Sequence, residues 1–119
     1  MAELNLLVDG VVIKKYPIAG DALNIGRHAD NDIQIDDRAV SGHHAVIEVL
    51  QSPYLEGALE YFIRDLDSTN GTHVNASQVK RQRLHGDDVI RIGFNTFKFV
   101  DATTPNFEKT AYVLPDRDS

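Results

Sequence analysis

Residues 41–50, SGHHAVIEVL, join a polar segment to a run of alternating apolar residues. In a strand, successive side chains point to opposite faces, so positions 45, 47 and 49 would face one side and positions 46, 48 and 50 the other. Because apolar residues fall on both sides, we expect a strand in a sheet that is partly covered on both faces. The polar residues 41–44 then lie where a loop meets the strand.

Short apolar segments separated by turn residues recur on either side of this stretch, and none carries helical periodicity beyond about two turns. The dipeptide Asp9-Gly10 is typical of a two-residue hairpin loop, in which both central positions need positive φ. The regular spacing of the segments predicts an all-β sandwich. The predicted strands are 4–8, 11–18, 23–26, 33–35, 45–50, 61–65, 72–74, 88–92 and 96–100.

Length and charge limit the functions open to the chain. Its 119 residues suit one domain, and the net charge of −6 argues against nucleic acid as a partner, because such binding needs many Lys and Arg. No apolar run approaches the roughly 20 residues that span a bilayer, and the absence of cysteine fits a reducing compartment. We therefore expect a cytoplasmic protein with no membrane partner.

The one dense basic segment consists of Lys80, Arg81 and Arg83. It is either a solvated strand end or a rim that attracts acidic peptide residues.

Three polar clusters carry the chemistry: Gly26-Arg27 after a strand, residues 41–44 before one, and Ser68-Thr69-Asn70-Gly71 in a turn. A phosphomonoester has roughly −1.5 to −2 charges and three acceptor oxygens, so its receptor needs a guanidinium, hydroxyls and backbone N–H groups. The three clusters supply these donors. Taken singly, Arg27 also reads as a surface arginine, Ser41 as a turn residue and Asn70-Gly71 as a plain β-turn.

As an ordered set, these clusters resemble the forkhead-associated (FHA) domain family from about Leu23 through Val100. The residues that carry the resemblance are Gly26-Arg27, Asp32-Ile33, Ser41, His44, Asp65-Leu66, Ser68-Thr69-Asn70-Gly71-Thr72, Val74-Asn75, Gly86-Asp87-Asp88 and Ile92-Gly93. The resemblance implies an eleven-stranded β-sandwich, residues 1–100 here, with its binding site on loops at one end. It also implies a module that binds phosphothreonine in a protein partner and adapts signalling or assembly without catalysis or cofactor.

By the same resemblance, Arg27 and Ser41 hold the phosphate, helped by Thr69, and Asn70 bonds the backbone of the bound peptide. Structural support of the site falls to Gly26, His44, Gly71 and Asn75. Phosphothreonine is expected to bind better than phosphoserine, because the family places the threonine methyl in a small apolar pocket.

The chain departs from the family pattern at two positions. Gly42 lacks the polar side chain that many members place directly after the serine, although its N–H can still donate to the phosphate. Ala76 stands where a glycine often follows the second asparagine, which puts the turn geometry there in question.

Two other functions remain open on the sequence. Ser41 and His44 could serve a hydrolase together with Asp65 or Asp67, although nothing resembles a nucleophile elbow. The sandwich could instead bind partners through a sheet face, independently of phosphate. We predict no metal site, because the five histidines have no recognisable spacing and the neighbours His43 and His44 would point to opposite faces.

Residues 101–119 contain Pro105 and Pro115 and are predicted to form a flexible tail. Thr110 is followed three residues later by Val113, as in peptides that FHA domains accept. One hypothesis is that a Ser/Thr kinase phosphorylates Thr110, which then docks into its own domain or a neighbour's. The alternative is a disordered end or a linker.

Overall fold

The computed structural model describes residues 2–101, and in this range it contains eleven strands and no helix. The strands are β1 (Ala2–Val8), β2 (Val11–Pro17), β3 (Ala22–Gly26), β4 (Ile33–Gln34), β5 (Ala45–Gln51), β6 (Leu59–Asp65), β7 (Thr72–Val74), β8 (Ser77–Val79), β9 (Arg81–Arg83), β10 (Val89–Ile92) and β11 (Asn95–Asp101). The predicted all-β class is confirmed. The eleven strands also match the number that the resemblance to the FHA family implies. No helix long and apolar enough to cross a membrane occurs among residues 2–101.

The strands form two sheets, in the orders β2-β1-β11-β10-β7-β8 and β4-β3-β5-β6-β9. The inward faces of the two sheets meet in one apolar core, to which Leu4 and Phe97 contribute from the first sheet and Ile47 and Ile63 from the second. These side chains are almost fully buried, as strand alternation predicts. Burial of large apolar side chains, worth roughly 1.5–3 kcal/mol each, holds the two layers together.

The first hairpin has the geometry that its turn dipeptide predicts. Asp9 and Gly10 both have positive φ, 52° and 78°, and Val8 pairs with Val11 across the turn. A two-residue turn of this type matches the right-handed twist of its strands. The hairpin prediction is confirmed.

Two strands are absent from the sequence prediction, β8 and β9. Each has three residues, and its side chains are mostly exposed, so neither shows the apolar alternation on which strand prediction depends. At the other end of the chain β11 continues to Asp101, which pairs with Ala2. Residues 102–119, which include Thr110 and most of the predicted tail, lie outside the described residues.

Candidate functional site

Strand register brings the three polar clusters to the same end of the sandwich. Ile25, at the end of β3, pairs with Ala45 at the start of β5, and Ala45 pairs with Asp65 at the end of β6. The segments 27–32, 35–44 and 66–71 therefore all lie at this end of the second sheet. Loops on a rigid scaffold of this kind commonly carry binding residues.

Arg27 is an exposed cation at this end of the sandwich. Its backbone N–H donates to the carbonyl oxygen of Ser41 over 3.0 Å, which fixes the two residues side by side. Within residues 2–101 no carboxylate forms an ion pair with Arg27, whereas Arg64, Arg81 and Arg83 each contact a glutamate. The guanidinium thus keeps its forked set of donors for an anion.

Ser41 links the second and third clusters. Its Oγ accepts a hydrogen bond from the backbone N–H of Thr69 over 3.0 Å. A hydroxyl has one donor and two acceptor positions, so the Ser41 O–H can still donate to a phosphate oxygen. Thr69 is itself exposed and carries a second hydroxyl. The structure therefore places Arg27, Ser41 and Thr69, the three residues predicted to contact a phosphate, on neighbouring loops.

His44 is fully buried beneath these loops and uses both ring nitrogens. The backbone N–H of Ser41 donates to Nδ1 over 3.0 Å, and Nε2 lies 2.9 Å from the carbonyl oxygen of Gly71. Because Nδ1 accepts, the ring proton must sit on Nε2, which donates to Gly71. A general base needs a nitrogen directed at the nucleophile's hydroxyl, and this histidine instead ties two loops together.

Asp65 organises the turn that presents Thr69 and Asn70. Its carboxylate accepts hydrogen bonds from the Ser68 hydroxyl at 2.5 Å, from the Ser68 N–H at 3.0 Å and from the Thr72 hydroxyl at 2.7 Å. Burial alone would raise the pKa of Asp65, but the bonds from Ser68 and Thr72 outweigh that effect and hold the pKa below its ordinary value. Asp65 therefore braces the turn as an ionised acceptor.

Gly71 ends the same turn. Its φ of 84° lies in the left-handed region, and its N–H donates to the Ser68 hydroxyl over 2.9 Å. Glycine adopts this conformation at no steric cost. Its carbonyl is then directed at His44, as the supporting role predicted for Gly71 requires.

A bridge that sequence reasoning missed joins the loops that carry Arg27 and Ser41. The Asn31 amide donates to the carbonyl oxygens of His28 and Gly42, over 2.9 and 2.8 Å. A Cβ on Gly26 would collide with the Gly42 carbonyl and lie 2.8 Å from the Asn31 amide nitrogen. Gly26 is thus required for the close approach of the two loops. No local signal marks the bond from Asn31 to Gly42, because the two residues are eleven positions apart.

Asn70 lies at the rim of a cavity of about 250 Å³, lined also by Arg91 and Phe94. One N–H of its amide donates to the carbonyl oxygen of Ala39 over 2.9 Å. An amide has a second N–H and an acceptor oxygen, which suit the backbone of an extended peptide.

Asp37, a second residue that sequence reasoning missed, fixes the wall of this cavity. Its carboxylate accepts from the Phe94 N–H at 3.2 Å and from the Asn95 amide at 3.1 Å, and it also accepts from the Ala39 N–H at 2.9 Å. The bonds from the backbone of Ala39 and Phe94 lower the pKa of Asp37. The bond to Ala39, two residues on, is an Asx-turn, which is the one signal that sequence reasoning could have used.

The remaining predicted residues, Asn75 and the basic segment, make their contacts elsewhere in the sandwich. Asn75 closes the β7–β8 turn: its amide donates to Asp88 over 3.0 Å and accepts from the Val89 N–H over 2.9 Å. In the basic segment, Arg81 contacts Glu48 at 3.5 Å and Arg83 contacts Glu60 at 3.7 Å. These ion pairs leave exposed Lys80 as the member of that segment without such a contact in the described part of the chain.

The chain is similar to known regulators from mycobacteria. The transcriptional regulatory protein EmbR of Mycobacterium tuberculosis is 40% identical over 85 residues, which are 71% of this chain and 20% of EmbR. The glycogen accumulation regulator GarA of Mycolicibacterium smegmatis is 36% identical in an alignment of 102 positions that covers 80% of this chain and 59% of GarA. The chain thus spans about a fifth of EmbR and less than two thirds of GarA.

Solved structures of related domains have the same architecture. The FHA domain of FhaA, in complex with the intracellular domain of Rv3910, matches with a TM-score of 0.69 and 31% identity over 83% of this chain and 99% of that chain. EmbR of M. tuberculosis in complex with a low-affinity phosphopeptide matches with a TM-score of 0.70 and 38% identity over 83% of this chain and 24% of that chain. The family model of the FHA domain matches residues 23–93. These matches and the geometry of the loops agree, and the chain belongs to the FHA domain family.

Proposed function

We propose that this chain binds a phosphothreonine-containing segment of a protein partner and acts as a signalling or assembly adaptor without catalysis. The observation that carries the proposal is a pair of hydrogen bonds, from the Thr69 N–H to Ser41 Oγ and from the Arg27 backbone N–H to the Ser41 carbonyl oxygen. It assembles two hydroxyls and a permanent cation from three separate segments. A Ser/Thr kinase must supply the modified threonine. The lack of cysteine supports a cytoplasmic setting, and the net charge of −6 speaks against nucleic acid.

Fluorescence anisotropy with one peptide in threonine, phosphothreonine and phosphoserine forms tests this proposal. We expect binding only to the phosphorylated forms and a preference of about fourfold for phosphothreonine, as one buried methyl provides. Arg27→Ala is expected to weaken binding at least about tenfold, because a charge-assisted hydrogen bond contributes roughly 1.5–3 kcal/mol. Arg64→Ala, at an exposed arginine paired with Glu48, is the matched control and should bind normally. Equal binding of phosphorylated and unphosphorylated peptide would refute the proposal.

Binding without catalysis is supported by the use of both His44 nitrogens within the fold. Ser41 Oγ lies against the Thr69 N–H, and the Asp65 carboxylate bonds Ser68 and Thr72. A hydrolase triad would need these three residues bonded in series. We expect a phosphopeptide incubated with the chain to be recovered intact; release of inorganic phosphate that Ser41→Ala abolishes would contradict this.

We further propose that the cavity beside Asn70 receives a residue on the C-terminal side of the phosphothreonine. Phe94 is 86% exposed at its rim and offers an apolar surface for an aliphatic side chain. Peptides with Val or Asp three positions after the phosphothreonine, titrated against wild type and Phe94→Ala, test this assignment. We expect wild type to favour Val and the variant to lose that preference.

The tail hypothesis, in which phosphorylated Thr110 docks into its own domain or a neighbour's, agrees with this assignment because Val113 lies three positions after Thr110. Kinase-treated Thr110→Ala with unchanged oligomeric state and unchanged peptide affinity would contradict the hypothesis.

Phosphate-independent binding through a surface of the sandwich is the second candidate function. The β1–β2 hairpin exposes four aliphatic side chains, Val8, Val11, Val12 and Ile13, between 41% and 61%. Arg27→Ala separates the two functions, because contacts through the hairpin persist in that variant.

A further inference from the structure

Three side chains able to ligate a metal ion meet on the two loops that carry Arg27 and Ser41. His28 and Asp30 lie between β3 and β4, and His43 precedes β5. Each offers one ligand atom, and all three atoms lie within 4.8 Å of one another. The rings of His28 and His43 have centroids 5.1 Å apart, and His43 Nε2 is 3.1 Å from Asp30 Oδ2. All three residues are exposed, so an ion can reach them from solvent.

The backbone holds these loops together independently of any ion. The His28 N–H donates to the carbonyl oxygen of Gly42 over 3.1 Å, and the Asn31 amide bonds both the His28 and Gly42 carbonyls. Gly42 also makes room for the His28 ring, since a Cβ there would lie 2.5 Å from Cδ2 and 2.6 Å from Nε2. The residue that departs from the family pattern thus allows the imidazole of His28 to approach His43.

Two imidazoles and a carboxylate form a ligand set that suits zinc, which accepts three protein ligands and keeps a fourth position for water or another ligand. Zn–N and Zn–O bonds of about 2.0–2.2 Å place tetrahedral ligand atoms roughly 3.5 Å apart. Exposed side chains reach that spacing from 4.8 Å by small rotations about their χ angles. We propose that His28, Asp30 and His43 bind one divalent transition-metal ion of the zinc type.

This site differs from the sequence expectation of no metal. That expectation considered His43 with its neighbour His44, and the structure does separate this pair, with His43 exposed and His44 buried. The partner of His43 is instead His28, fifteen positions earlier, which only the folded loops bring near. The proposal does not depend on phosphopeptide binding.

Isothermal titration calorimetry with ZnCl₂, in a buffer free of phosphate and chelators, tests the site in the full 119-residue chain. We expect one ion per chain, and we expect His28→Gln, Asp30→Asn and His43→Gln each to weaken binding at least about tenfold. His85→Gln is the matched control, because His85 is an exposed histidine beside the acidic Asp88 outside this cluster. It should bind zinc like wild type.

Imidazole ¹⁵N NMR supplies a second measurement on the same samples. Zinc should shift one ring nitrogen of His28 and one of His43 and leave His73 and His85 unchanged, and the variants should keep the amide spectrum of the folded domain. The proposal is overturned if wild type binds zinc no better than the His28→Gln/His43→Gln double variant. It is equally overturned if His85→Gln loses as much affinity as the three ligand variants.

Discussion

Gly26 allows two loops to approach each other closely because it has no Cβ. A Cβ at this position would collide with the Gly42 carbonyl and press on the Asn31 amide, both of which are fixed by hydrogen bonds. We expect Gly26→Ala to lower the free energy of unfolding by about 1–3 kcal/mol, the usual cost of overpacking. Urea unfolding measures the change. Gly86→Ala is the control, because a Cβ there meets nothing within 4 Å and its φ is not in the positive range, so the two variants should differ in stability.

Ala76 is the opposite case, because it carries a Cβ at a position whose backbone conformation favours glycine. Its φ is 72°, and it follows Asn75 at 49° in the two-residue turn between β7 and β8. Left-handed backbone costs an L-residue with a Cβ roughly 1 kcal/mol more than glycine. We expect Ala76→Gly to raise the free energy of unfolding by up to about 1 kcal/mol. Ala58→Gly, at an alanine without positive φ, should lower it; the same change in both variants would contradict the strain argument.

At the scale of elements, the turn between β6 and β7 depends on ionised Asp65. Its pKa is lowered in the folded state, so its contribution to stability is present above its unfolded pKa, about 4, and is lost as pH falls through the folded pKa. We expect Asp65→Asn to cost about 1–3 kcal/mol at neutral pH, because it leaves buried donors poorly matched. Urea unfolding of both proteins between pH 7 and pH 3 should show this difference shrinking below about pH 4.

Asp67→Asn is the control for that experiment, since Asp67 is exposed in the same turn and asparagine tolerates its positive φ of 56°. Its stability should follow wild type across the pH range. A difference between wild type and Asp65→Asn that stays constant down to pH 3 would contradict the role of the ionised carboxylate.

The same elements show which parts of the structure the sequence can predict. Long strands such as β5 and the Asp9-Gly10 hairpin follow from local alternation and turn chemistry. β8 and β9 could not be predicted, because three exposed residues carry no periodic signal. The residues proposed to bind the phosphate were chosen from the family pattern, whereas Asn31, Asp37 and the His28–His43 contact depend on loop packing between residues distant in sequence.

At the scale of the whole molecule, a ligand that binds only the folded state must stabilise the entire sandwich. At a concentration one hundred times its dissociation constant, a phosphothreonine peptide adds about 2.7 kcal/mol to the free energy of unfolding. For a domain of this size that corresponds to a rise in Tm of at least about 10 °C. The unphosphorylated peptide should leave Tm unchanged. At the same phosphopeptide concentration, the tenfold weaker binding expected for Arg27→Ala leaves at most about 1.4 kcal/mol, and therefore at most about half of the wild-type rise in Tm. Arg64→Ala is the control, and the phosphopeptide should raise its Tm as much as it raises the Tm of wild type, each measured against the same protein without peptide. A Tm rise in Arg27→Ala as large as that in wild type would show that the phosphate is held elsewhere.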